Sequence, residues 1–244
     1  MESYTSFAKV YDEFMDQTPY DQWLENILEI FKKEHIKEGG NVLELGCGTG
    51  KMTRRLSKAG YQMTAIDNSI EMLEIAANKG KEDILYVLQD MIALELPEKA
   101  DAVVSVCDCM NYILDLVDLQ EVFCRTKKYL KKQGVFMFDM NSKFKYEKLL
   151  ANNTFAEDRE DASFIWDNFY DAEERMNEYQ LSLFIQNEKG TYDKFEEVHF
   201  QKAYDIEEIS EMLFKAGFAQ VEILDADTMQ EPKEETERLY FIAK

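Results

Sequence analysis

The sequence predicts an α/β fold, with a doubly wound, mostly parallel sheet of seven strands interrupted by an antiparallel β insertion. Three observations carry this. Short apolar runs alternate with amphipathic helical stretches between residues 41 and 139. Glycines punctuate the first turns between them, at Gly46, Gly48, Gly50 and Gly60. After about residue 150 the pattern changes to strict apolar–polar alternation, the signature of antiparallel strands with one wet face.

The elements follow in order. Residues 1–38 read as helical, because Trp23, Leu24, Ile27, Leu28, Ile30 and Phe31 recur at helix spacing, and Gly39-Gly40 ends the run. NVLEL (41–45) is the first strand, and 51–59 a helix stopped by Gly60. YQMTAI (61–66) is the second strand, and 69–79 a helix with Ser69 as N-cap. ILYVL (84–88) and AVVSV (102–106) are strands, 116–130 is a helix, and VFMFD (135–139) is a further strand. Residues 164–170, 176–186 and 195–204 read as antiparallel strands, with Gly190 in a turn. A helix over 205–216, ended by Gly217, and strands over 218–224 and 239–243 complete the chain. Residues 1–150 and 205–244 therefore make one domain, and 151–204 an insertion within it.

A chain of 244 residues can bury one large core. With 45% hydrophobic and 32% charged residues, it has the composition of an ordinary globular protein. The net charge of −21 argues against nucleic acid as a partner, since phosphate contacts need clustered Lys and Arg. No run reaches the roughly 18 apolar residues of a membrane span, and the first residues show no signal-peptide pattern. The four cysteines lack the further ligands of a metal site, so no metal is expected, and a reducing cytoplasm suits them.

Chemistry concentrates after the first strand, in Glu44-Leu45-Gly46-Cys47-Gly48-Thr49-Gly50. Glycines there permit a tight turn and close approach of a ligand to the backbone. The spacing is G-x-G-x-G; Lys51 stands where a dinucleotide fingerprint would place its third glycine, which weakens a nicotinamide reading. Asp67 ends the second strand, followed by Asn68, and can accept from both hydroxyls of a ribose. Gln89-Asp90-Met91 ends the third strand, where an acid can receive an adenine amine while Met72 and Met91 offer apolar faces. All three elements fall at the same end of consecutive strands, the ligand end of an open α/β sheet.

Here the sequence resembles the class I S-adenosylmethionine-dependent methyltransferases, small-molecule type, in VLELGCGTG, AIDNS and LQDM. The resemblance covers most of 35–142 and 205–244. It implies a Rossmann-like domain and S-adenosyl-L-methionine as cofactor. The Gly46–Gly50 loop, Cys47 included, would surround the methionine part, Glu44 would act near its ammonium, and Asp67 would hold the ribose. Asp90 and Met91 would bound the adenine, and Val106 and Cys107 would lie close by. Tyr11, in the Y-D-x-F of an aromatic lead-in that also includes Tyr4, Phe7 and Phe14, would fold over the cofactor; simple helix packing is the other reading.

On the acceptor side, Asp108, Asn111 and Tyr112 follow the fourth strand and can orient a polar group; Asn111 can equally cap a helix. The insertion, with Trp166 and other aromatics, is expected to close over the acceptor as a lid; the alternative is a sheet that pairs with a second subunit as a homodimer. His199 is a candidate base on a lid strand. No nucleophile–base pair is visible, so no catalytic residue is assigned. The Asn/Asp-Pro-Pro-Tyr/Phe motif of adenine and glutamine methyltransferases is absent, which favours a small-molecule acceptor. A cofactor-binding sensor without turnover and an NAD-dependent oxidoreductase are the remaining alternatives.

Overall fold

The computed structural model describes residues 7–80 and 82–244. A seven-stranded sheet is built from β1 (Asn41–Leu45), β2 (Gln62–Asp67), β3 (Leu85–Leu88), β4 (Ala100–Ser105), β5 (Leu130–Asn141), β10 (Val221–Asp225) and β11 (Arg238–Ala243), in the order β10-β11-β5-β4-β1-β2-β3. The pairs among β1–β5 are parallel, and β11 runs antiparallel to both its neighbours. The strand order reverses between β1 and β4, and such a switch opens a crevice at the carboxyl ends of the strands.

Period-two alternation along these strands feeds two cores. Leu43, Leu45, Phe136, Phe138 and Phe241 face α5 (Leu116–Tyr129) and α6 (Ile206–Lys215). Val42, Val104, Val135, Met137 and Ile242 face α2 (Tyr20–Lys33) and α3 (Lys51–Lys58). Phe138 stacks on both Phe136 and Phe241, with ring centroids at 4.7 and 5.1 Å. On α4 (Ile70–Asn78), Ser69 is the N-cap as expected and accepts the Met72 N–H.

The N-terminal segment, expected to be helical over residues 1–38, is broken into two helices. It forms α1 (Ala8–Phe14) and α2, separated by residues 15–19. Pro19 precedes α2, and the residue before a proline is steered out of the helical region. α2 then stops at Lys33, earlier than the glycine pair, where His35 takes a left-handed conformation (φ 60°). The Tyr4 expectation lies outside the described residues.

The insertion is a separate sheet in the order β6 (Thr154–Asp158), β7 (Ala162–Asp171), β8 (Met176–Gln186), β9 (Tyr192–Lys202), antiparallel throughout. It therefore has one strand more than the sequence pattern displays. A π-helical turn, Lys145–Leu150, leads into it. α1 lies on its face, where Val10 and Phe14 pack against Leu181 and Leu183, and Phe14 meets Phe164 edge-on at 4.8 Å. Asp12, on the same helix, accepts the Thr49 hydroxyl (2.5 Å) and pairs with Lys79. One short helix thus ties the glycine loop, α4 and the insertion together. Among the described residues, no helix is long and apolar enough to cross a membrane.

Candidate active site

The crevice at the switch point holds a cavity of about 650 Å³. Twelve of the thirteen residues expected to bind cofactor line it: Tyr11, Glu44, Gly46, Cys47, Gly48 and Asp67 from one side, and Asn68, Met72, Gln89, Asp90, Met91 and Val106 from the other. Gly50 is the exception. At φ 73° it caps α3, and a Cβ there would stand 2.6 Å from the Tyr86 hydroxyl, so its role is close packing behind the loop. Gly48 (φ 53°) differs, because a Cβ at that position would meet nothing within 4 Å and would project into open space.

Asp67 joins the loop to the next helix by accepting the Gly48 N–H (2.7 Å) on one oxygen and the Ser69 N–H (2.9 Å) on the other. A carboxylate offers about four acceptor positions, and with the Asn68 N–H also directed at it Asp67 keeps room for a further donor. Burial pushes its carboxyl above the usual range against the pull of those N–H groups. Asp90 accepts the Ile92 N–H (2.9 Å), and Gln89 exchanges hydrogen bonds with the Glu95 backbone, which fixes the turn after β3. Glu44 is buried behind the loop and accepts the Thr53 hydroxyl (2.5 Å); desolvation pushes its carboxyl up to about 8.

A second cavity, about 680 Å³, lies between α1, the insertion and the turn after β4. Of the acceptor candidates, Asp108, Tyr112, Trp166 and His199 line it. Asn111 does not. It is buried behind the wall, donates to the Lys202 carbonyl (2.8 Å) and accepts the Asn141 N–H (2.9 Å), so it latches the turn to β5 and β9. Tyr11, Cys107 and Tyr112 line both cavities and form the seam between them.

A family model described as a methyltransferase domain matches residues 42–134. YqeM of Bacillus subtilis (strain 168), which carries a methyltransferase name, is 39% identical over 99% of this chain and 96% of its own length. An S-adenosylmethionine-dependent methyltransferase from Clostridium acetobutylicum ATCC 824 superposes with a TM-score of 0.88 at 30% identity, covering 100% of this chain and 99% of that one. The chain belongs to the S-adenosylmethionine-dependent methyltransferases. The sugar N-methyltransferase KedS8 from Streptoalloteichus shares the fold, with a TM-score of 0.78 at 18% identity over 96% of this chain and 91% of that one. S-adenosylmethionine is accordingly the cofactor, and the nicotinamide alternative falls away.

The residues of the first cavity fit that group. Open space in front of Gly48 admits a ligand against the backbone, carboxylates and apolar methionine faces line the cavity, and the lysine that lines it, Lys51, donates to the Asp12 and Met15 carbonyls.

What sequence reasoning missed is the support beneath the seam. Cys107 and Asp108 are consecutive left-handed residues (φ 68° and 52°), a conformation costly without glycine. Asp139, at the end of β5, accepts both their N–H groups, at 3.1 and 2.7 Å. Arg238 then bridges Asp139 (2.5 Å) and Asp108 (2.7 Å), and Gln201 donates to Asp108 (2.6 Å). Burial works to raise the Asp108 carboxyl, but the Arg238 guanidinium outweighs it and holds the group below its usual range. The available signals were an arginine opening the apolar strand RLYFIA and an acid closing VFMFD.

Proposed function

We propose that this methyltransferase acts on a small polar acceptor held in the second cavity, with the Gly46–Gly50 loop, Asp67 and Asp90 holding S-adenosylmethionine in the first. The observation that carries the reading is the shared wall. Two cavities of similar size meet at Tyr11, Cys107 and Tyr112, where a methyl group can pass from one to the other. The cofactor supplies an activated methyl on a sulfonium. The chain's part is then placement, since in-line transfer needs the nucleophile about 3–3.5 Å from the carbon.

In this reading Asp67 takes the ribose hydroxyls, Asp90 the adenine amine, and Met72 and Met91 flank the ring. Glu44 neutralises the ammonium end from behind the loop. The insertion, residues 151–204, serves as the lid over the acceptor, with α1 sealing the seam. KedS8 is a sugar N-methyltransferase and CalS10 an amino pentose methyltransferase, so amino sugars are the first acceptors to screen.

The test has two arms. Calorimetry with S-adenosylhomocysteine, with NADH as control, reads the first cavity. Release of S-adenosylhomocysteine from S-adenosylmethionine across a panel of amino sugars, phenols and hydroxy acids reads the second. Micromolar binding of S-adenosylhomocysteine with turnover of a panel member supports the proposal. Cofactor binding with turnover only on protein or RNA would overturn the small-molecule reading.

A further inference from the structure

Tyr112, His199 and Glu197 stand in line from the seam to the start of α1. The Tyr112 hydroxyl lies 3.3 Å from Nδ1 of His199, and the two rings meet edge to face at 6.0 Å. Nε2 of His199 lies 3.1 Å from Oε2 of Glu197, and Oε1 of Glu197 accepts the Phe7 N–H at 2.8 Å. Glu197 and His199 are two residues apart on β9, so both side chains share one face, and both are buried at 2% and 4% exposure. With Glu197 ionised, its carboxylate can only accept, which assigns the imidazole proton to Nε2 in the relay. In that tautomer Nδ1 is the acceptor for the Tyr112 hydroxyl.

We infer that Tyr112, His199 and Glu197 form a proton relay that deprotonates the methyl acceptor; this rests on the acceptor reading of the second cavity. As the nucleophile attacks, its O–H or N–H proton passes to the Tyr112 oxygen, and the phenol's own proton moves to Nδ1. The resulting imidazolium remains paired with Glu197. The electron pair released on the acceptor forms the bond to the methyl carbon, while the carbon–sulfur bond breaks with its pair going to sulfur. Atoms and charge balance with no further reactant. Tyr112 touches the acceptor; His199 and Glu197 act through it as positioning residues, in the logic of a nucleophile oriented by a base and a third group.

The cavity is also lined by Asp227 and Glu237, both exposed, and by Glu157, which pairs with Arg159. Asp108 is bound by Arg238 and Gln201, and Lys145 donates to the Asn141 side chain (3.1 Å). The relay also restricts the acceptor to a group with a proton to yield, such as a hydroxyl or an ammonium, and excludes a thioether or tertiary amine.

The chain contains two histidines, His35 and His199, so 15N-histidine labelling with His199→Gln as the assignment control resolves the ring. The probes are S-adenosylhomocysteine and sinefungin, which carries an amine in the region of the transferable methyl. The relay requires the neutral His199 ring to be protonated at Nε2, and its Nδ1 resonance to shift with sinefungin but not with S-adenosylhomocysteine. Tyr112→Phe should abolish that shift. A proton on Nδ1 in the wild-type protein, a silent Nδ1 with sinefungin bound, or a shift that survives Tyr112→Phe would each overturn the relay. If calorimetry shows that neither ligand binds, the cofactor reading fails first, and the relay with it.

Discussion

Asp67 does two jobs with one carboxylate. It clamps the Gly48 and Ser69 N–H groups, and in the proposed complex it also takes the ribose. Asp67→Ala should weaken S-adenosylhomocysteine binding by about 1.5–3 kcal/mol, the scale of a hydrogen bond to a charged group. Calorimetry reads this directly, and unchanged affinity in a folded variant would remove Asp67 from the site. Gly48→Val should abolish binding, because the new side chain enters the open space before the loop and carries a β-branched residue at φ 53°. Glu44 gives the residue scale its pH dependence. Its folded carboxyl titrates at about 8, above the 4.5 of an unperturbed glutamate, so between those values the folded state holds a proton that the unfolded chain has lost. Its contribution to apo stability is therefore present at low pH and lost as pH rises from about 5 through 8. A cationic ammonium beside Glu44 reverses the preference, so ligand binding at pH 7 should release a proton and tighten toward pH 8. Calorimetry in two buffers of different ionisation enthalpy measures that release, and Glu44→Gln should abolish it.

At the scale of elements, the turn after β4 shows where sequence reading runs out. The strands and helices of the sheet were legible because their periodicity is local, and Gly46, Asp67 and Asp90 could be picked as candidates lining one cavity because ligands gather at strand ends. Asn111 was misjudged as an acceptor contact because its partners, Lys202 and Asn141, lie 91 and 30 residues away. The split between α1 and α2 was missed because the helix-spaced residues, Trp23 to Phe31, all lie beyond Pro19, and β6 because it is only five residues long. Arg238 and Asp139 are 99 residues apart, and nothing in either segment alone declares a pair. Yet the left-handed turn depends on them. Arg238→Met would leave the buried Asp139 carboxylate without its cation and Asp108 held by Gln201 alone, and removing one partner of a buried pair costs about 3–5 kcal/mol. Urea denaturation should show a loss of that order. Arg238→Lys should recover only part of it, since a single ammonium cannot span both acids as a guanidinium does.

The whole molecule is arranged around a short helix that belongs to neither sheet. Through Tyr11, α1 lines both cavities; through Phe14 it packs on β7, and through Asp12 it holds Thr49 of the glycine loop. A ligand in the first cavity therefore presses on the same helix that seats the insertion, and two sheets with separate cores become coupled through seven residues. The coupling is expected to be one of order rather than large displacement, since a segment that bonds to the loop is held more firmly once the loop is fixed. S-adenosylhomocysteine should slow amide hydrogen exchange in residues 8–14 and in the β7 segment, 162–171, and leave α6, on the far side of the sheet from α2 and α3, unchanged. Phe14→Ala removes the ring that joins α1 to Phe164 while sparing Asp12 and Tyr11. In that variant protection should still rise in the glycine loop but no longer reach β7. If β7 responded equally with and without Phe14, the helix would not be the route, and the insertion would have to sense the cofactor through the turn after β4 instead.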